Sequence, residues 1–409
     1  MTRLLTPSTS DTPSTSSTER RARLVRTIGY YAAFVALGLA SASLGPTLPG
    51  LAEHTGSRLS EISALFVARS LGYLAGSLLG GRLYDRRSGH PVMGVGLLLM
   101  AGMMGLAPLV PQLWMLAAAI LVLGMAEGAL DVGGNTLLVW VHGDRVGPFM
   151  NGLHFFFGLG AFLSPVIIAR VMLGDGDIGR AYWTLALLLL PAALWLFPLS
   201  SPPGPTVSAH EPATPANARL VALMVALFFL YTGAEIAFGG WIYSYAVALG
   251  LTSQAVAAYL TSAFWGAFTA GRLLSVPLAT RFPPRFVLIA DFLGCLASLA
   301  ILLLGSNSLA VTFLGTCGVG LSMASIFPAA LCLAQGRMRI TGQVTGWFFV
   351  GASAGGMVLP WLIGQFFESA GPRATMVILL IDMTAAVGIL AVLTFQSVRP
   401  VYQRIIGER

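Results

Sequence analysis

Ala75-Gly76-Ser77-Leu78-Leu79 returns as Ala270-Gly271-Arg272-Leu273-Leu274, and the displacement relating the two holds elsewhere in the chain. It pairs Gly38 with Gly233, Arg86 with Arg281, Gly160 with Gly355 and Pro165 with Pro360. One short motif can match by chance. A register kept over that distance points to a duplicated unit.

The residues around these motifs say what the unit is. Hydrophobic residues make up 56% of the chain and charged residues 10%, where a soluble domain carries roughly a quarter charged, and mean hydropathy is +0.81. A water-soluble fold is excluded. Apolar runs recur from near Thr27 to near Gln396, each about 20 residues long and so able to cross ~30 Å of hydrocarbon as a helix. They are continuously apolar with Gly and Pro inside them, unlike the alternating segments of a β-barrel. Charges, Pro and Gly as punctuation place helices over 27–50, 59–81, 90–109, 112–140, 148–172 and 180–199, then 218–247, 254–280, 285–305, 308–335, 341–368 and 373–396. The expected fold class is an all-α membrane protein with 12 transmembrane helices in two six-helix bundles, 27–199 and 218–396. A linker rich in Pro, Ala, Ser and Thr, 200–217, joins them. Residues 1–26, a Ser/Thr/Pro tract ending in Arg, read as a disordered tail, and 397–409 as a second tail. The first apolar run is too long for a signal peptide and is expected to stay.

Every basic residue is Arg. One set of loops holds the N-terminal Arg cluster, Arg82, Arg86, Arg87, Arg145, Arg219, Arg281, Arg285, Arg337, Arg339, Arg399, Arg404 and Arg409. The opposite loops hold Glu53 with Arg58, then Asp175, Asp177 and Arg180, then Glu368 with Arg373, or no charge. Arg-rich short loops stay in the cytoplasm, so both termini are expected there, in a bacterial-type inner (plasma) membrane. No basic cluster suits nucleic acid. Cys295, Cys317 and Cys332 lack metal-ligand spacing and read as packing residues. There is no Gly-rich nucleotide loop, no His-Glu-x-x-His helix and no Gly-x-Ser-x-Gly elbow, so an enzyme and an ATP-driven pump are not expected. Two parallel six-helix repeats with a site between them near the midplane imply a secondary transporter.

Gly81-Arg82-Leu83-Tyr84-Asp85-Arg86-Arg87-Ser88-Gly89 resembles the cytoplasmic loop signature of the major facilitator superfamily, with one residue inserted between Asp85 and the second Gly. Further blocks resemble the fucose permease group and its sodium-dependent glucose transporter relatives. They are Gly45-Pro46-Thr47-Leu48 with Leu59-Ser60-Glu61-Ile62-Ser63, Asp131-Val132-Gly133-Gly134-Asn135, Leu153-His154-Phe155 with Gly160-Ala161-Phe162, Gly233-Ala234-Glu235 through Tyr245-Ala246-Val247, and Phe327-Pro328 with Met357-Val358-Leu359-Pro360. The resemblance implies a sugar or sugar-like solute carried with protons or sodium, no other cofactor, and a monomer. It also implies that Asp85, Arg86 and Arg272 belong to a cytoplasmic gate, though Asp85 and Arg86 also read as a plain topology signal. One departure stands out: proton-coupled fucose permeases carry an Asp before the first-helix Pro, where this chain has Gly45 before Pro46.

Ionisable groups at membrane depth are costly unless they face a cavity or a partner. Glu127, Asp131 and Asn135 follow at four-residue spacing on one helix face. The two carboxylates can bind a proton or a cation, or one of them can simply pair with Arg69. Asn151 and His154 share a face of the fifth helix, and Glu235 lies in the seventh beside a Gly239-Gly240 bend. Aromatic faces suit a pyranose, which makes Trp241, Trp265 and Trp347 candidates, with packing or lipid contact as the other reading. Trp114, Trp140 and Trp183 read as interface anchors. Uptake of a hydroxylated solute fits the polar stripe. Efflux of an amphipathic one fits the Phe155-Phe156-Phe157 run.

Overall fold

The computed structural model describes residues 17–173, 177–204, 217–338 and 341–395. Its helices make twelve passes. In the first half these are α1 (Ser17–Ser41) continued by α2 (Leu44–Thr55), α3 (Leu59–Ile62) continued by α4 (Ala64–Tyr84), α5 (Gly89–Leu106), α6 (Leu113–His142), α7 (Gly147–Met172) and α8 (Ile178–Leu196). In the second they are α9 (Ala218–Ala248), α10 (Gln254–Arg281), α11 (Pro284–Leu304), α12 (Leu309–Met323) continued by α13 (Ile326–Gln335), α14 (Gly342–Phe367) and α15 (Ala374–Phe395). Among the described residues, 11 passes are long and apolar enough to cross a bilayer. The other, α10, is also long, at 28 residues. Its apolar run is interrupted by Thr261, Ser262, Thr269, Arg272 and Ser275.

Two passes break where a proline removes the bond that would hold the turn. Pro46 cannot donate to the carbonyl four residues back, and the helix interrupts at Ala42-Ser43. Pro328 does the same at Ala324-Ser325. The freed ends are tied locally, since Ser43 Oγ donates to Ala40 O at 2.8 Å and Thr47 Oγ1 to Ser43 O at 2.8 Å.

The expected disordered tail 1–26 needs correction, because helix begins at Ser17. The Arg-rich segment is a continuation of α1: Arg23 pairs with Glu19 one turn away at 3.1 Å, and Trp195 Nε1 donates to Val25 O. The rest of that tail, the tail 397–409, linker residues 205–216, Asp175 and Arg339 lie outside the described residues.

Repeat symmetry appears as matching helix pairs. α1 packs on α7 as α9 packs on α14, α4 on α6 as α10 on α12, and α5 on α8 as α11 on α15. The glycines that reveal the duplication sit at these crossings. A Cβ on Gly38 would lie 2.1 Å from Phe157 O, and one on Gly160 2.1 Å from Val35 O. Their register mates Gly233 and Gly355 would meet Gly355 O at 2.9 Å and Phe229 O at 1.9 Å. Gly76 and Gly271 repeat the pattern against Met125 O at 1.9 Å and Leu321 O at 2.9 Å. Backbones this close exclude any side chain, and small residues at such crossings are how helices associate where lipid supplies no hydrophobic drive.

Between the halves, α7 packs on α10, α4 on α14, and α2 on α9. The α2–α9 contact closes one end of the molecule, away from the Arg-rich loops. Gly45 there lies against Gly239 and Gly240, and Gly240 against the ring of Phe66.

Candidate functional site

A cavity of about 1120 Å³ lies between the halves, above the ~300–1,000 Å³ usual for a small-molecule pocket. Its wall runs from Gly45, Phe66, Gly239 and Gly240 at the closed end to Ala279, Phe282, Pro284 and Phe349 at the Arg-rich end, where it opens.

Across the closed end the halves are latched. Gln365 Nε2 donates to Ser60 O at 2.8 Å, and Leu59 N donates to Glu368 Oε1 at 3.1 Å. Trp241, wholly buried, lies between the rings of Phe66 and Phe367 and donates to Pro360 O at 2.9 Å. It is therefore part of the closure and not of the cavity wall, contrary to the expectation of a sugar platform.

The polar stripe of α6 faces the cavity, and α4 answers it residue by residue. Arg69 clamps Glu127 with two bonds, Nε to Oε2 at 2.8 Å and Nη2 to Oε1 at 2.7 Å, and donates from Nη1 to Ser41 O at 2.8 Å. Glu127 is 1% exposed. A buried carboxylate with a bidentate guanidinium is already satisfied. One turn on, Tyr73 Oη donates to Asp131 Oδ2 at 2.5 Å, and Asn135 Nδ2 to Asp131 Oδ1 at 3.1 Å. Asp131 accepts two neutral hydrogen bonds from these side chains and, unlike Glu127, has no ion pair among the described residues. The close approach of α4 and α6 makes this ladder possible, with Gly124 and Gly128 against the carbonyls of Arg69 and Tyr73.

Asn151 and His154 also line the cavity, and the His154 ring meets Phe34 edge-on at 6.2 Å. From the second half come Glu235, Trp265 and Arg272. Trp265 is 8% exposed and packs edge-on to Phe157 of the first half at 6.2 Å.

Two expectations are corrected here. Trp347 is 53% exposed and lines a separate outer groove between α9 and α14 with Phe229 and Val350; its period on α14 turns it away from the cavity. Arg272 is not with Asp85 and Arg86 at the loop. It sits on the cavity wall, its guanidinium 4.5 Å over the Phe268 ring, because it lies more than two turns inside α10 from that helix's end at Arg281. Asp85 and Arg86 are exposed at the end of α4, and among the described residues neither makes a side-chain ion pair.

Tyr73 was not legible as a site residue by itself. The signal was present in the row Arg69, Tyr73, Ser77, which has the same four-residue spacing as Glu127, Asp131, Asn135. Ser325, on the cavity wall at the α12–α13 break, donates to Oδ2 of Asp291 behind it at 2.6 Å. Asp382 on α15 is 5% exposed, with neither carboxylate oxygen hydrogen-bonded among the described residues.

Two six-pass halves around a central cavity, latched at one end, match a known family directly: residues 30–360 fit the family described as Major Facilitator Superfamily. The chain belongs to the major facilitator superfamily. Within it, this major facilitator falls in the group of fucose-permease-like carriers and sodium-dependent glucose transporter 1. It is 34% identical to sodium-dependent glucose transporter 1 of Xenopus laevis over 357 residues, covering 80% of this chain and 72% of that one. It is 31% identical to sodium-dependent glucose transporter 1A of Mus musculus, covering 82% and 88%. Among solved structures, a single-residue mutant of the nucleoside transporter NupG superposes with a TM-score of 0.75 at 14% identity, covering 91% of this chain and 99% of that one. As a major facilitator the protein is a multi-pass membrane transporter of a small solute.

Proposed function

We propose that this transporter takes up a sugar or sugar-like solute together with a proton or sodium ion, by alternating access. The carrying observation is Asp131, a cavity-facing carboxylate held by Tyr73 and Asn135 with no ion pair among the described residues, beside a Glu127 already neutralised by Arg69. Asp131 is the coupling site in this reading. Asn135, Asn151, His154 and Glu235 supply hydrogen bonds for hydroxyls, and Trp265 supplies an apolar face. The relatives named for sodium-dependent glucose transport support the solute class.

In the same reading the Arg-rich side is cytoplasmic, the membrane is a bacterial-type inner membrane, the carrier works as a monomer, and the conformation is inward-open. Asp85 and Arg86 are the unengaged half of a gate that closes in the opposite state. Phe34, Phe155, Phe157, Phe327 and Phe349 on the wall favour a second reading, efflux of an amphipathic compound.

The deciding experiment is uptake of radiolabelled fucose, glucose, galactose and mannose by purified protein in liposomes under an imposed proton or sodium gradient, for the parent and Asp131→Asn. Gradient-driven accumulation that Asp131→Asn abolishes supports sugar symport. No sugar flux under either gradient sinks it and leaves efflux.

A further inference from the structure

The outer groove between α9 and α14 is a hollow of about 850 Å³ that shares no lining residue with the solute cavity. Small side chains line it, among them Ala222, Ala226, Gly351 and Ala354, with exposed Gln343 and Trp347 toward the Arg-rich end. The duplication explains why space is left there. In the first half the register mates of Val225 and Ala226 are Tyr30 and Tyr31. Tyr30 is wholly buried. Tyr31 stacks on Phe156 with ring centroids 4.7 Å apart, and its hydroxyl donates to Phe149 O at 3.1 Å. That hydroxyl also lies 2.5 Å from where a Cβ on Gly152 would stand. The register mates of Phe156 and Gly152 are Gly351 and Trp347. The second half therefore has Ala where the first has Tyr31, and Gly where the first has Phe156, while the Trp347 ring that replaces Gly152 stands exposed. The first half fills this place with its own rings, and the second leaves it open.

Both α9 and α14 are long and apolar enough to cross a bilayer, so a hollow on the outside of the bundle meets lipid and not water. Apolar walls with nothing against them forfeit their dispersion contacts, and an acyl chain is flexible enough to restore them. Charge at the mouth narrows the lipid class. Arg219 follows the lining residue Ala218 in the first turn of α9, is exposed, and makes no ion pair among the described residues. It stands at the N-terminus of a 31-residue helix, where the helix dipole also favours an anion. Trp347, in the second turn of α14, has the amphipathic ring that settles at headgroup level. A basic residue beside a groove between membrane helices suits an anionic headgroup. We propose that the α9–α14 hollow binds one phospholipid with an anionic headgroup, its acyl chain taking the place that Tyr30 and Tyr31 fill in the first half and its phosphate meeting Arg219. One half of the duplicated unit is completed by side chains and the other by lipid. Because α9 carries the cavity residue Glu235 and α14 the latch residue Gln365, the lipid braces the two helices that join the cavity to the closure. The site depends on neither the solute nor the coupling ion.

The test takes the full chain, purified and delipidated in detergent, and titrates it with dioleoyl phosphatidylglycerol or dioleoyl phosphatidylcholine, which differ only in the headgroup. Native mass spectrometry counts the lipid retained, and thermal unfolding reads its effect. The parent is expected to retain one phosphatidylglycerol about fivefold more tightly than phosphatidylcholine, with a rise in unfolding temperature. Arg219→Gln should bring that preference to within about twofold while chain binding remains. Ala226→Tyr, which puts the first half's side chain into the hollow, should lower retention of both lipids about tenfold and abolish the rise. If Ala226→Tyr does not fold, Ala222→Leu fills the hollow with a smaller side chain and carries the same expectation. Retention equal to the parent's in the filled variant, no preference for the anionic lipid in the parent, or a preference that survives Arg219→Gln overturns the proposal. So does displacement of the lipid by free glycerol phosphate, because the acyl chain would then contribute nothing. A parent dimer that the filled variant makes monomeric gives the hollow to a second copy of the chain and overturns it likewise.

Discussion

Tyr73 and Asp131 meet from neighbouring helices of the same half, with the phenol hydroxyl 2.5 Å from the carboxylate. A neutral donor at that position orients the acid without neutralising it, which a second arginine would do. Tyr73→Phe deletes the donor and leaves the ring. A hydrogen bond to a charged group contributes about 1.5–3 kcal/mol and favours the ionised acid, so without it apparent affinity for a coupling proton should rise roughly ten- to a hundredfold. The measurement is the cation concentration giving half-maximal sugar uptake in liposomes. An unchanged value would remove Tyr73 from the coupling site.

Arg69 and Glu127 play the opposite part, a closed pair within one half. Replacing Glu127 by Gln strands a buried guanidinium, and breaking such a pair costs about 3–5 kcal/mol. Glu127→Gln should therefore lower the unfolding temperature in detergent markedly. Arg69→Met combined with Glu127→Leu should recover most of the loss, because no unpaired charge remains. Sugar-binding loss in Glu127→Gln without loss of stability would instead make Glu127 a solute ligand.

The sequence carried the twelve passes and the duplication because both are written in composition and in glycine. Gly38, Gly160, Gly233 and Gly355 repeat because four backbones touch at two equivalent crossings, and a register of that kind survives when little else does. Glu127, Asp131 and Asn135 were legible as a cavity stripe from their spacing alone. The direction in which a Trp points was not. Trp241, Trp265 and Trp347 have the same chemistry, and what separates closure, wall and outer groove is the rotation of each helix about its axis, set by packing against a partner remote in sequence. Arg272 was misplaced for a related reason: a gate role implied by family resemblance fixes a position along the chain, not depth in the bundle.

The glycine crossings make a sharp test. Gly76→Ala places a methyl 1.9 Å from Met125 O in a contact between backbones that cannot relax singly. Overpacking costs typically ~1–3 kcal/mol, and here the full ladder from Arg69–Glu127 to Tyr73–Asp131 shifts with the helix, so both stability and uptake should drop. Gly102→Ala, in α5 with open space around its Cβ position, should be neutral or stabilising by up to about 1 kcal/mol. Unfolding temperatures of the two variants compare the sites directly.

Trp265 and Trp347 offer a similar pair. Trp265 is on the cavity wall and Trp347 on the outer groove. Trp265→Ala should weaken sugar affinity by about tenfold or more, as expected when an aromatic face worth ~1–2 kcal/mol is removed from a binding site. Trp347→Ala should leave the half-saturating sugar concentration within about twofold of the parent. Equal effects would mean that the rings act through the fold and not through the solute.

Alternating access predicts that the two ends of the molecule oppose one another. Gln365 and Glu368 hold the closed end through Ser60 and Leu59, while Asp85 stands exposed at the open end. Gln365→Ala removes a bond made only in the present conformation, so it should raise the population open at the latched end. Asp85→Asn removes a charge needed in the other conformation, so it should lower that population and slow uptake. A cysteine at the cavity-lining Ser70, in a protein with Cys295, Cys317 and Cys332 replaced by Ala, reports the change through labelling by a membrane-impermeant maleimide applied at the latched end. Labelling should accelerate in Gln365→Ala and slow in Asp85→Asn. The double variant should fall between them, because residues at opposite ends contribute near-additively to one equilibrium. Acceleration in both single variants would mean that Asp85 is no gate residue, and its charge would then be left as a signal of topology.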